Sequence, residues 1–490
     1  MNSMRTLGPI LGAFLVNAAL GAETVSSPPA LEDSAKRDAP SHPPIALHPE
    51  NPHYFLFRGK PTVLVTSGEH YGAVLNRDFD FVKYLDTLAA DGLELTRTFS
   101  GAYVEPQGAF RIEKNTLAPA AGRLICPWAR SEVPGYAGGG NRFDLAKWDD
   151  AYFARLRSFL GAASERGIVV EYVFFCPFYE DSQWQLSPMN AANNLAGIGA
   201  IERTKVYTLD GHGGLLDVQL ALVREVIART QEFDNLFFEI ANEPYFGGIT
   251  LEWQHRIADE IVAAQRDRSR RHLIAQNIAN GKAKVVDPHP AVSIFNFHYA
   301  SPPDTVALNW NLGKVIGDDE TGFRGTADLH YRMEGWEFVL AGGALYDHLD
   351  YSFAVGHEDG TFRYPPTQPG GGGKDLRHQL RVLKEFIHSF DFVRMAPDAS
   401  FVVATKPETV RARTLSQPGE QYAVYFFGGK QVIVTLQVPG GDWITEWVDT
   451  RSGRVEKREE VGIRPAGQVT IASPAYRDDV ALRVVRKSER

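Results

Sequence analysis

Apolar residues recur along this chain in two alternating rhythms. Short runs rich in β-branched and aromatic residues, at 61–67, 93–99, 168–175 and 236–241, read as strands buried on both faces. Helix-period segments separate them: 79–91, capped by Asp78 and stopped by Gly92; 144–166, stopped by Gly167; and 217–231. The rhythm continues with a helix at 251–270, strands at 272–278, 292–298 and 314–317, a helix at 326–340 and a strand at 342–346. Strands interleaved with helices over 45–396 predict a (β/α)8 TIM barrel.

Several loops that follow strands are long, which places the surplus chain on the face where such barrels build their sites. The last insertion, 356–375, carries Pro365-Pro366 and Gly370 to Gly373 and reads as a lid, a wall or a plain surface loop. Beyond Pro397 the texture changes to short alternating strands. Residues 422–427 and 431–438 read as a hairpin about Gly428-Gly429, and 443–448 and 480–485 extend it into a small antiparallel β-sandwich over 397–490. That module could pack on the barrel or bind polysaccharide.

Composition narrows the class. A charged fraction of 23% suits a globular protein, and a net charge of −9 argues against nucleic acid as a partner. Arg5, the mostly apolar stretch 7–20 and the small residues Gly21 and Ala22 form a signal-peptide pattern over 1–22, too short and interrupted for a membrane span. A flexible lead-in over 23–44 follows, and the expected location is secreted or periplasmic. Cys126 and Cys176 are the only cysteines, so they either pair or stay as two buried thiols.

The chemistry centres on Asn242-Glu243-Pro244, which ends the apolar run 236–241. A carboxyl group at the mouth of a buried strand can be tuned by its walls while a substrate still reaches it. Glu320 follows strand seven, and strands four and seven face each other across a barrel mouth. Two such carboxylates meet the need of glycosidic bond cleavage, one as acid/base (Glu243) and one as nucleophile (Glu320). Asp318 and Asp319 precede Glu320, and Asp318 is the rival nucleophile. No metal or cofactor is required by this chemistry, and His357-Glu358-Asp359 is too local to make a metal site.

This constellation resembles the clan A glycoside hydrolases, a group of cellulase-like, mannanase-like and β-galactosidase-like enzymes. The resemblance implies that Arg97 pairs with the nucleophile, that Asn242 holds the sugar 2-hydroxyl, and that His298-Tyr299 form an aromatic pair with Tyr299 bonded to the nucleophile. Where that clan often carries a tryptophan after strand eight, this chain has Gly342 to His348, which leaves Tyr346 as the sugar platform. Phe57-Arg58-Gly59-Lys60-Pro61 and the trailing sandwich also look like apiosidase-like barrels, which act on branched plant polysaccharides.

Candidate stacking aromatics are Tyr71, Trp128, Phe178, Trp184, Tyr245 and Trp310, with Trp184 and Tyr245 best placed. Glu69 and His70, after strand one, are candidate sugar contacts. The expectation is a secreted retaining glycosidase acting on β-linked or α-L-arabinofuranosidic bonds. The alternatives are a transglycosidase of the same fold and a catalytically silent carbohydrate-binding surface protein.

Overall fold

The computed structural model describes residues 42–265 and 270–487. The expected signal peptide, nearly all of the lead-in and the end of the helix at 251–270 lie outside the described residues.

Eight parallel strands form one sheet: β1 (Leu64–Gly68), β2 (Leu95–Phe99), β3 (Val169–Phe175), β4 (Leu236–Ala241), β5 (Ile274–Asn280), β6 (Ile294–His298), β7 (Val315–Thr321) and β8 (Leu345–Leu349). Their hydrogen-bonded order runs β1-β8-β7-β6-β5-β4-β3-β2. β1 and β2 meet at the seam, where Thr66 Oγ1 donates to the Leu95 carbonyl (2.7 Å) and the Phe99 amide donates to the Tyr71 carbonyl (3.0 Å). The helices α1 (Phe81–Ala90), α2 (Asp150–Glu165), α3 (Leu215–Thr230), α4 (Leu251–Ala264), α5 (Asp304–Asn309), α6 (Asp328–Leu340) and α7 (Lys374–His388) follow successive strands, β5 excepted.

Three local readings of the sequence change. The run 61–67 splits: Lys60–Thr62 closes a hairpin with Phe55–Phe57, and only Leu64–Gly68 enters the barrel. Pro61 has no amide proton for a central ladder, so the break falls there. The helix expected from 144 begins at Asp150, because the Asp149 carboxylate accepts from the Ala151 and Tyr152 amides. The preceding Asn141–Trp148 pairs instead with Trp128–Pro134 as a hairpin on the mouth. Finally, 422–427 and 431–438 do not form a hairpin. Gln421–Phe427 pairs with Arg411–Gln417 and Asp479–Arg486, whereas Ile433–Val438 pairs with Val402–Lys406 and Gly467–Ala472. Residues 428–432 carry the chain from one sheet to the other, starting from the left-handed Gly428 and Gly429.

These strands make the expected antiparallel sandwich, and its packing follows from alternation. Tyr422, Val424 and Phe426 point into the sandwich core, while Ala423, Tyr425 and Phe427 join the barrel core. Tyr425 stacks on Trp336 of α6 at 5.4 Å between ring centres. Arg332 of α6 grips Asp479 through two hydrogen bonds, of 3.0 and 2.8 Å, both side chains being buried. Tyr425 and Thr450 donate to the same carboxylate, at 2.8 and 3.0 Å.

Candidate active site

The barrel interior below the mouth is charged. Arg97, from β2, donates to Glu239 of β4 (2.8 Å) and lies 3.4 Å from Asp319 of β7 and 4.0 Å from Glu171 of β3. Asn296 of β6 donates to Glu171 (2.8 Å) and Asp319 (2.9 Å). Burial pushes Glu239 up to about 7 and, with the charges of Asp319 and Glu239, holds Glu171 far above the usual carboxylate range. Burial would raise Asp319 as well, but Arg97 and His298 outweigh it and bring it down to about 2. Asp319 is therefore the carboxylate that Arg97 and His298 favour as an anion, while the two glutamates are shifted toward their neutral forms. Oxygens of Glu171, Glu239 and Asp319 lie within 4.8 Å of one another, a spacing that could also close on a cation, although Arg97 already supplies positive charge there.

A bulge sets the ends of β7. Asp318 pairs with Phe297 but Glu320 with His298, so Asp319 is an extra residue in the register. The bulge turns both Asp319 and Glu320 inward. Asp318 points outward and accepts from the Ala300 amide (3.2 Å), and burial, then Glu334 of α6, push its pKa well above the ordinary carboxylate range. The rival nucleophile is thus outside the cavity.

Above this layer, the carboxylates of Glu243 and Glu320 and a ring nitrogen of His298 lie within 4.8 Å of one another. Glu243 sits in left-handed backbone, at φ 36°, as does Tyr299, at φ 54°. Such conformations cost a non-glycine residue about 1–3 kcal/mol and re-aim the side chain beyond its strand. Glu320 accepts from the hydroxyls of Tyr299 (2.5 Å) and Tyr71 (2.9 Å) and lies 3.4 Å from Arg97. Glu243 accepts from Tyr179 (2.5 Å), Tyr245 (3.3 Å) and His298 Nδ1 (3.1 Å). The other ring nitrogen of His298 stands 3.3 Å from Asp319, at ion-pair rather than hydrogen-bond geometry.

The electrostatics turn on His298. Burial opposes its charge, but Glu320, Asp319 and Glu243 surround it and hold the imidazole well above its usual range. Burial would raise Glu243, yet the hydrogen bond and charge of His298 bring it below the ordinary glutamate value. Glu320 lies above its ordinary value because burial and the Glu243 charge together outweigh His298 and Arg97.

Both carboxylates open into a cavity of about 340 Å³, at the small end of the range for ligand sites. Asn242 lines it, donating to Tyr179 (3.0 Å) while its carbonyl accepts from Arg97 (2.8 Å). His70 lines it too; burial and then Arg97 lower its pKa to about 3, and its buried Nδ1 has no partner. Glu105, Tyr179, Phe110, Phe246 and Phe323 also line the wall, none of them foreseen from sequence. Burial pushes Glu105 up to about 7.

Several expected contacts lie elsewhere. Tyr346 is fully buried, its hydroxyl donating to the Tyr331 carbonyl (2.7 Å); strand alternation gives the inward position to Asp347. Trp184 is buried beside a separate depression, its indole nitrogen donating to the Ile201 carbonyl (3.0 Å). Glu69 is no rim contact, because its carboxylate accepts from the Gly72 and Ala73 amides (3.0 and 2.9 Å) and fixes the turn after β1. Trp310 precedes β7 and stacks on His53 at 3.6 Å, at the opposite end of the barrel. Trp128 and Phe178 are fully buried, whereas Tyr71 does line the cavity, with its hydroxyl on Glu320. Tyr245 serves Glu243 and also donates to Asn280.

Both cysteines are free and buried, with Cys176 beneath the cavity beside the Asn242 amide (3.6 Å). The triplet 357–359 disperses: Glu358 accepts from the Gly356 amide (2.9 Å) and Asp359 pairs with Lys83 (3.0 Å). Within the same insertion, Gln368 accepts from the Glu113 amide (3.1 Å) and the Pro369 carbonyl accepts from Gly325 (2.9 Å).

No protein-family model matches this chain, and no curated protein matches it in sequence. Solved structures match it in fold. One is a glycoside hydrolase at 14% identity and a TM-score of 0.61, covering 91% of this chain and 98% of that one. Another is a glycoside hydrolase family 5 protein from Bacteroides vulgatus at 15% identity and a TM-score of 0.61, covering 90% and 94%. Over nine-tenths of its length, this chain has the fold of these glycoside hydrolases.

Proposed function

We propose that the protein is a retaining glycoside hydrolase, with Glu320 as nucleophile and Glu243 as acid/base. The observation that carries this reading is the approach of Glu243 and Glu320 within 4.8 Å, on strands that end at one cavity. Retaining enzymes hold their carboxyl groups about 5–5.5 Å apart, whereas inverting enzymes leave room for a water between them.

Tyr71, Tyr299 and Arg97 stabilise Glu320 as an anion aimed at an anomeric carbon. Its oxygen bonds that carbon as the glycosidic C–O bond breaks, and the leaving oxygen takes a proton from Glu243. His298 Nδ1, at 3.1 Å, is the reserve from which Glu243 is protonated, so the pair stores one proton between them. A water then gives its proton to Glu243 and attacks the same carbon, freeing Glu320. Asn242 and His70 line the inner cavity as partners for sugar hydroxyls.

The same reading extends to secretion and to β-linked or α-L-arabinofuranosidic bonds in plant or microbial saccharides. The intact carboxylate pair speaks against a silent binding protein. A reducing-sugar and chromatography screen over plant and microbial polysaccharides, with Glu243→Gln and Glu320→Gln as controls, tests it. Release from one substrate that both variants abolish is expected; release that survives Glu320→Gln removes the proposed nucleophile.

A further inference from the structure

Phe110, Phe246 and Phe323 are 40%, 43% and 40% exposed, and all three line the cavity that holds Glu243 and Glu320. Among the described residues they are the only exposed phenylalanines, so their gathering at one mouth is not the scatter normal for a protein surface. They come from three loops. Phe246 and Phe323 each stand three residues beyond one of the two glutamates. Phe110 belongs to the loop after β2, in left-handed backbone (φ 53°), as does its neighbour Arg111 (φ 63°). A side chain displayed to water on backbone of that kind is held there at a cost.

Each ring is also braced. Phe110 and Phe246 pack against Tyr179, at 5.3 and 5.7 Å, and Phe323 against Tyr299, at 6.0 Å. Tyr179 and Tyr299 are the hydroxyls bonded to Glu243 and Glu320, so the apolar rim begins directly above the two carboxylates.

The inner lining is of the opposite kind: Asn242, Glu243 and Glu320 are buried and polar. A sugar ring, which needs hydrogen-bond partners, matches that inner end. Outside it stand three rings that offer neither donor nor acceptor, with Asn280 and Arg324 beside them on the same lining, so a group there is held chiefly through its apolar face. An apolar group matches the rim. Resting on the glycosidase reading above, we propose that the mouth is an aglycone site and that the substrates are glycosides with an apolar leaving group, aryl or alkyl, rather than internal bonds of a polysaccharide.

Binding separates this from the chemistry. Methyl, phenyl and n-octyl β-D-glucosides, β-D-galactosides, β-D-xylosides and α-L-arabinofuranosides would be titrated calorimetrically into Glu320→Gln, below the micellar concentration. For at least one sugar, the octyl or phenyl member should bind about tenfold tighter than the methyl member, the gain from burying about two methylene groups. A phenyl preference identifies a flat aryl aglycone, and an octyl preference identifies an alkyl one. Adding Phe246→Ala or Phe323→Ala should bring that ratio toward one, whereas Val286→Ala, at the far more exposed Val286 (75%), should leave it intact. Equal affinity across every sugar series, or a ratio that survives Phe110→Ala, Phe246→Ala and Phe323→Ala, overturns the proposal. An apolar preference in a protein that hydrolyses nothing would instead overturn the glycosidase reading, and with it the aglycone role, leaving the rim as an apolar binding site.

Discussion

His298 Nδ1 lies 3.1 Å from Oε1 of Glu243, so the proposed acid/base shares its proton with an imidazole. Asp319, Glu320 and Glu243 hold that imidazole charged well above the usual histidine range, against the pull of burial. The alkaline limb of kcat/KM therefore belongs to the pair and should lie above neutrality. In His298→Gln the proton depends on the Glu243 carboxyl alone, and the limb should move to lower pH with a loss of about tenfold or more at pH 7. An unmoved limb in the pH profile would show that His298 only fills space.

Tyr71 donates to Glu320 (2.9 Å), an anion that burial and Glu243 already hold above its ordinary pKa. Removing a donor to the charged form raises that pKa further. Tyr71→Phe should shift the acidic limb upward, with the loss in kcat/KM greatest at low pH and smaller at pH 8. A loss of the same size at every pH would contradict this.

Glu105 is buried and pushed up to about 7, so the folded protein binds a proton there that the unfolded chain releases at the ordinary glutamate value. Stability should consequently fall as pH rises between those two values and level off above the higher one. Glu105→Gln removes the loss, and its stability relative to the parent should rise by up to about 3 kcal/mol across that window. Urea denaturation at pH 4.5, 6 and 8 measures it; a constant difference would show that Glu105 ionises freely.

Asp479 is shared by Arg332, Tyr425 and Thr450. Asp479→Ala would leave the Arg332 guanidinium buried without its counter-charge, a loss of about 3–5 kcal/mol. The double variant Arg332→Met/Asp479→Leu should recover most of it. Equal destabilisation of single and double variants, by chemical denaturation, would mean that the shape of the contact matters more than its charge.

The barrel was legible because its strands are buried on both faces and its helices end at glycines; Gly92 and Gly167 mark two of those ends. Glu243 and Glu320 were legible because they terminate apolar runs. The choice between Asp318 and Glu320 was not, since strict alternation has no place for the bulge at Asp319. Tyr179, Glu105 and Phe110 were invisible because irregular loops bring them to the cavity and no periodicity records it. Tyr346 misled because the strand runs on to Leu349, which makes an expected strand end an interior position. The spacing that sets Phe246 and Phe323 three residues past the two glutamates was present in the chain but acquires meaning only once both exposures are known.

The grip of Arg332 on Asp479 also bears on how such a protein can change over evolutionary time. A module joined by a loose tether can be exchanged between enzymes by recombination, because neither partner depends on the other's surface. Here a cation on a barrel helix is buried against an anion supplied by the last strand of the sandwich, and Tyr425 stacks on Trp336 across the same boundary. A barrel that acquired a foreign sandwich would inherit a stranded charge and an uncovered indole. Exchange of one part alone is thereby disfavoured, and substrate range is left to vary in the loops at the mouth.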